Sequence, residues 1–145
     1  MTDQDILDRL NAHRPACLYA LNASVKEMNR EEKSAVMSFT IPLDFCHSGN
    51  VVQGGFVAAM LDATMSHAVF SNIDNVVALP TLELKVSYLA ASLAGSFTAR
   101  GEIIRAGKSI VFLEGRLYNE QGELTATASS TAKVILPKTS RSTQE

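Results

Sequence analysis

The feature that most constrains this chain is the run from Phe56 to Phe70, FVAAMLDATMSHAVF, in which nearly every residue is apolar or small. It follows a glycine pair, Gly54-Gly55, and no Gly or Pro interrupts it up to Ser71. Its alanines and methionines favour helix over strand. A helix that is apolar around most of its circumference is buried on most sides. The run is shorter than the roughly 18 to 20 apolar residues that span a bilayer, so protein must cover it. One charge interrupts it, Asp62. An ionised carboxylate among apolar side chains is costly unless it is paired, hydrogen-bonded or protonated. Either Asp62 points to solvent or caps a neighbouring loop, or it is kept for acid–base work, because burial lifts a carboxylate pKa toward the useful range.

The rest of the chain reads as the cover. DQDILDRLNAH places Ile6, Leu7 and Leu10 on one helical face, with Thr2 or Asp3 as the cap and Pro15 ending the piece. LYALNASVKEMN reads as a weak strand, and NREEK as a turn. SAVMSFTIPL alternates Ala35, Met37, Phe39 and Ile41 against Val36, Ser38 and Thr40, which is the period of a strand. PLDFCHSGN reads as a loop, marked by Pro42, Gly49 and Asn50. Past the helix, VVALPTLELKVSYLA, GSFTARGEIIRAG, KSIVFLEGRLYN and ELTATASSTAKVIL read as four strands, with Gly101 as a candidate bulge. Short connections make neighbouring strands antiparallel. The expected fold is α+β, a curved sheet of about six strands wrapped around one long central helix.

The 145 residues suit a single domain, here 1–145, with an N-terminal helical segment at 1–16 and a flexible tail at 137–145. A net charge of −2 gives no bulk attraction to nucleic acid or to an anionic membrane. The two cysteines, Cys17 and Cys46, form no C-x-x-C, and the three histidines are spread out, so no metal site is expected. The acidic, amphipathic start lacks a signal-like apolar run, and a cytoplasmic location is the expectation.

The glycine pair gives Asp62 a partner in chemistry. The first N–H groups of a helix lack internal acceptors and carry the positive end of its dipole. Glycine lets a ligand approach that backbone, so the start of this helix suits an oxyanion or a polarised carbonyl. The other reading is a turn that needs two permissive residues. Asp62 lies eight residues after Gly54, about 12 Å along a helix. One chain's Asp62 therefore cannot reach a carbonyl held at its own Gly54. Two antiparallel copies of the helix can bring them together, each giving Asp62 to the other's start, which implies a two-fold dimer.

The run HSGNVVQGGFVAAMLDAT, with the later PTLELKVSYLAAS and GKSIVFLEGRLYNEQGELTATASSTAKV, resembles the hotdog-fold acyl-CoA thioesterases, in particular the phenylacetate-pathway-like group. The resemblance covers about residues 20 to 136. It implies that the Gly54 N–H polarises the thioester carbonyl, that Asp62 of the other subunit attacks or activates water, and that Thr81 places that water. It implies coenzyme A as part of substrate and product, no separate cofactor, and a homodimer or homotetramer. The chain departs from the family pattern at three places. Gln53 stands where the family has His and is left to donate a hydrogen bond to substrate beside Gly55. His47 stands where the family often has Asn and is either a surface residue or a donor to substrate or leaving thiolate. Asn50 replaces a Gly, which a left-handed backbone tolerates. Arg105 and Lys108 flank a turn and either meet the phosphates of coenzyme A or are simply solvated. Two rival readings keep the fold: a hydratase or dehydratase using His47, and a non-catalytic acyl-CoA-binding protein, for which Asp62 together with Thr81 has no use.

Overall fold

A computed structural model describes residues 1–138. The expected flexible tail lies, from residue 139 on, outside the described residues. The chain opens with α1, Asp3–Ala12, whose Thr2 side chain accepts from the Asp5 N–H while Asp5 accepts from the Thr2 N–H, a full capping box. Ile6 and Leu7 are its buried residues. The segment read as one weak strand divides in two. Pro15, with fixed extended geometry, starts a short helix α2, Ala16–Ala20, and only Ser24–Asn29 is strand β1. Strand β2, Ser34–Ile41, buries the face carrying Ala35, Met37, Phe39 and Ile41.

The segment read as a loop also carries structure. A single 3-10 turn at Leu43–Phe45 is followed by a small hairpin of β3, Cys46–Ser48, and β4, Val51–Val52. Helix α3 then runs from Gly54 to Asn72. Four strands follow: β5, Thr81–Tyr88; β6, Gly95–Ala106; β7, Ile110–Tyr118; and β8, Leu124–Lys133.

Six strands form one antiparallel sheet in the order β1-β2-β6-β7-β8-β5. The strand that follows α3 in sequence thus crosses to the far edge and pairs only with β8. The helix lies in the concavity, with Met60, Leu61, Met65 and Ala68 fully buried. Its seat is a row of small residues in register across four strands: Ala35 opposite Gly101, Gly101 opposite Gly115, and Gly115 opposite Ala128. Gly101 is not a bulge; the bulge in β6 falls between Ile103 and Arg105. A Cβ at Gly101 would lie 2.7 Å from the Thr64 carbonyl oxygen and 2.8 Å from the Met65 Cα. Glycine is there because the helix backbone approaches the sheet backbone directly.

Candidate active site

The start of α3 is tied down by its own neighbours. The N-cap Gln53 turns its Oε1 back to accept the Gly55 N–H at 2.8 Å, and its backbone N–H donates to the Phe45 carbonyl at 2.9 Å. The Phe45 ring stacks on Phe56 at 4.5 Å. Loop and first helical turn are therefore one packed unit. Among the described residues the Gly54 N–H makes no hydrogen bond. Gly54 lines a cavity of about 300 Å³ with His47, Val52, Val57, Tyr88 and Ser92. A free N–H at a helix start is a donor for developing negative charge.

Two turns on, Asp62 is half-buried, and its Oδ1 accepts the Thr81 hydroxyl at 2.9 Å. The pairing of β5 with β8 slips between Thr81 and Glu83, so the first residue of the strand is freed from the regular alternation. The charge in the apolar helix is thus hydrogen-bonded and lies on the helix face the sheet leaves open. That face carries Gly55, Ala59, Asp62, Ala63, Ser66 and Phe70, all half-buried or exposed. Beside it β5 offers a free sheet edge, with Leu82 57% and Tyr88 54% exposed.

The remaining candidates divide. His47 is exposed on the wall of the Gly54 cavity, its Nδ1 2.7 Å from the Ser48 hydroxyl. Gln53 has Oε1 committed to Gly55, so its side-chain amide N–H group is what it can offer a ligand. Asn50 is not left-handed; the positive φ of 63° in that turn belongs to Gly49. Asn50 lines a separate groove with Leu93, Ser96 and Glu120. Arg105 and Lys108 are exposed at the β6–β7 turn. That turn adjoins the groove of Ala106, Ile103, Asn72 and Ile73, at the end of α3 opposite to Gly54 within one chain. His67 is buried, and its Nδ1–H donates to the Ala63 carbonyl at 2.8 Å. Burial holds its imidazole below the ordinary value.

One residue at this site escaped the sequence reading. The Tyr88 hydroxyl donates to the Gly54 carbonyl at 2.7 Å. Strand β5 therefore touches α3 through both its ends, Thr81 on Asp62 and Tyr88 on Gly54. Nothing local in VSYLA marks Tyr88 as more than an alternating strand residue.

The thioesterase superfamily profile matches residues 49–126, which include the helix start, Asp62, Thr81 and Tyr88. The chain belongs to the thioesterase superfamily. Among relatives of this superfamily member, a protein of Saccharolobus solfataricus named as a proposed esterase is 29% identical over 72% of this chain and 74% of its own. A proposed thioesterase of Ralstonia eutropha, described as related to phenylacetic acid degradation, superposes with TM-score 0.82 at 28% identity, covering 91% of this chain and 98% of that one. The PaaI protein of the Escherichia coli phenylacetic acid degradation operon superposes with TM-score 0.78 at 21% identity, covering 92% and 96%. The hotdog fold read from the sequence is the fold of this superfamily member. Among the described residues no helix is long and apolar enough to cross a membrane.

Proposed function

We propose that this thioesterase-superfamily chain hydrolyses an acyl-CoA thioester to a carboxylic acid and free coenzyme A, at sites shared between two copies of the chain. The observation that carries the reading is the Asp62–Thr81 hydrogen bond on the open face of α3, on the same helix as the unpartnered Gly54 N–H. The two groups stand about 12 Å apart along the helix. A second copy laid antiparallel on the open face brings each Asp62 to the other copy's Gly54. The small side chains of that face allow close helix approach, and the free edge of β5 continues the surface.

In this arrangement the thioester carbonyl accepts from the Gly54 N–H of one copy. Asp62 of the other either adds to the carbonyl carbon itself or takes a proton from water that adds there. Thr81, donating to Oδ1, fixes the carboxylate and the water beside it. The C–S bond then breaks and coenzyme A leaves as its thiolate, which takes up a proton; where Asp62 itself added, water then hydrolyses the acyl–Asp62 anhydride, releasing the acid and restoring the carboxylate. The test is free-thiol release from a panel of aromatic and straight-chain acyl-CoAs, run beside Asp62→Asn. The expected result is turnover that collapses in the variant with the oligomer intact. Binding without turnover on every member of the panel sinks the hydrolase reading and favours a binding protein.

A further inference from the structure

We infer that Tyr88 is a positioning residue for the oxyanion donor: its hydroxyl fixes the Gly54–Gly55 peptide and thereby aims the Gly54 N–H at the substrate carbonyl. The inference rests on the thioesterase reading above. Two adjacent glycines leave the backbone many conformations, and the first turn of a helix has few internal bonds to choose among them. Here side chains make the choice. One end of the Gly54–Gly55 peptide, the carbonyl, accepts from Tyr88 at 2.7 Å, and the other end, the N–H, donates to Gln53 Oε1 at 2.8 Å. Both dihedrals that set the direction of the Gly54 N–H adjoin this pinned unit or the N-cap that pins it. The approach is also close: a Cβ at Gly54 would meet the Tyr88 hydroxyl at 3.2 Å and its Cζ at 3.4 Å. The absence of a side chain at 54 thus leaves room for a phenol as well as for a ligand. Tyr88 shares the cavity wall with Gly54 and His47, so it reaches the Gly54–Gly55 peptide from the cavity.

A phenol that merely tied β5 to α3 would show in stability or in binding of the whole ligand. A phenol that aims the donor shows in the transition state alone. The experiment is Tyr88→Phe, measured for thiol release, melting temperature and affinity for two coenzyme A analogues. One is a trifluoromethyl ketone that forms a tetrahedral oxyanion; the other is an unreactive thioether without a carbonyl. The expected result is a fall in kcat of about tenfold, the span of one net hydrogen bond, with KM and melting temperature unchanged. Affinity for the ketone falls by the same factor and affinity for the thioether stays. In a Gly54→Pro background, where no N–H remains to be aimed, adding Tyr88→Phe changes neither kcat nor ketone affinity. An unchanged kcat in the single variant overturns the inference. So does an equal loss of thioether affinity, a lowered melting temperature that accounts for the loss, or an undiminished effect in the Gly54→Pro background. Failure of the thioesterase reading is a different result, the absence of thiol release by the unaltered protein, and it removes the inference with it.

Discussion

Helix α3 has two sides made of similar residues in different situations. Toward the sheet, Met60, Leu61, Thr64, Met65 and Ala68 are wholly buried. Away from it, Ala59, Asp62, Ala63, Ser66 and Phe70 keep part of their surface. Both sides are rich in apolar and small residues, so no hydrophobic stripe separates inside from outside. The comparison teaches that an all-round apolar helix has two faces to cover, and the sheet of its own chain covers one of them. Substitutions on the sheet side should act on stability, and those on the open side on chemistry and assembly.

The largest effect expected is on chemistry. Gly54→Pro removes the N–H at a helix-start position, after a Gln53 already at φ −61° and ψ 136°, backbone angles that suit a residue before proline, although its Cβ needs the Tyr88 side chain, with its hydroxyl 3.2 Å away, to shift slightly. It and Asp62→Asn should each cost on the order of 10²- to 10³-fold in kcat with the fold kept. Mixing the two inactive variants so that subunits exchange should restore roughly a quarter of the activity, since half the dimers are hybrids and each hybrid has one intact site. No recovery after exchange is verified would mean that each site lies within one chain. On the sheet side, Met65→Ala should cost about 2–5 kcal/mol in urea unfolding of the assembled protein. A smaller loss would mean that the sheet side is less tightly packed than the open one. Gly101→Ala comes next, about 1–3 kcal/mol, because the new methyl meets helix backbone that cannot swing away.

Thr81→Ala should then lower kcat by about tenfold through loss of one hydrogen bond to the carboxylate, leaving the melting temperature in place. A drop in stability without a drop in kcat would reverse the division between the faces. The smallest effect belongs to His67. Burial holds its folded-state pKa below the ordinary 6.5. Between those two values the unfolded chain binds more protons. Its contribution to stability is therefore fully present above 6.5, declines as pH falls through 6.5, and levels off below the folded value. His67→Gln should flatten that decline in melting temperature against pH; an unchanged profile assigns the decline to other groups.

Much of this architecture was legible because its periods were clean. Ala35, Met37, Phe39 and Ile41 announced β2 by alternation, and the helix declared itself by composition and length. Asp62, Gly54 and Thr81 came from a charge out of place, a glycine pair and a family resemblance. What was not legible depends on partners distant in sequence. Leu82, Leu84, Val86 and Tyr88 alternate as a strand with one inner face should, yet Leu82 and Tyr88 are 57% and 54% exposed. Alternation reports a strand but not its place in the sheet, and β5 lies at an edge. Tyr88 acts by reaching a carbonyl 34 residues earlier in the chain, a contact no local window contains. Gly101 read as a bulge because glycine in a strand has two meanings, and only the helix overhead decides between them. Helix α2 was hidden because a single turn after Pro15 is too short to show a period.

The row Ala35, Gly101, Gly115 and Ala128 has a consequence for how such a protein changes over generations. Where side chains separate a helix from a sheet, each new side chain resets the gap. Here, at Gly101, the gap is set by backbone against backbone. A residue that lines the cavity away from that contact, such as the exposed Leu89, can be exchanged for a larger or smaller one without lifting the helix from its seat. The spacing between Gly54, Asp62 and the strand that touches both is then inherited unchanged while the shape of the cavity beside Gly54 drifts.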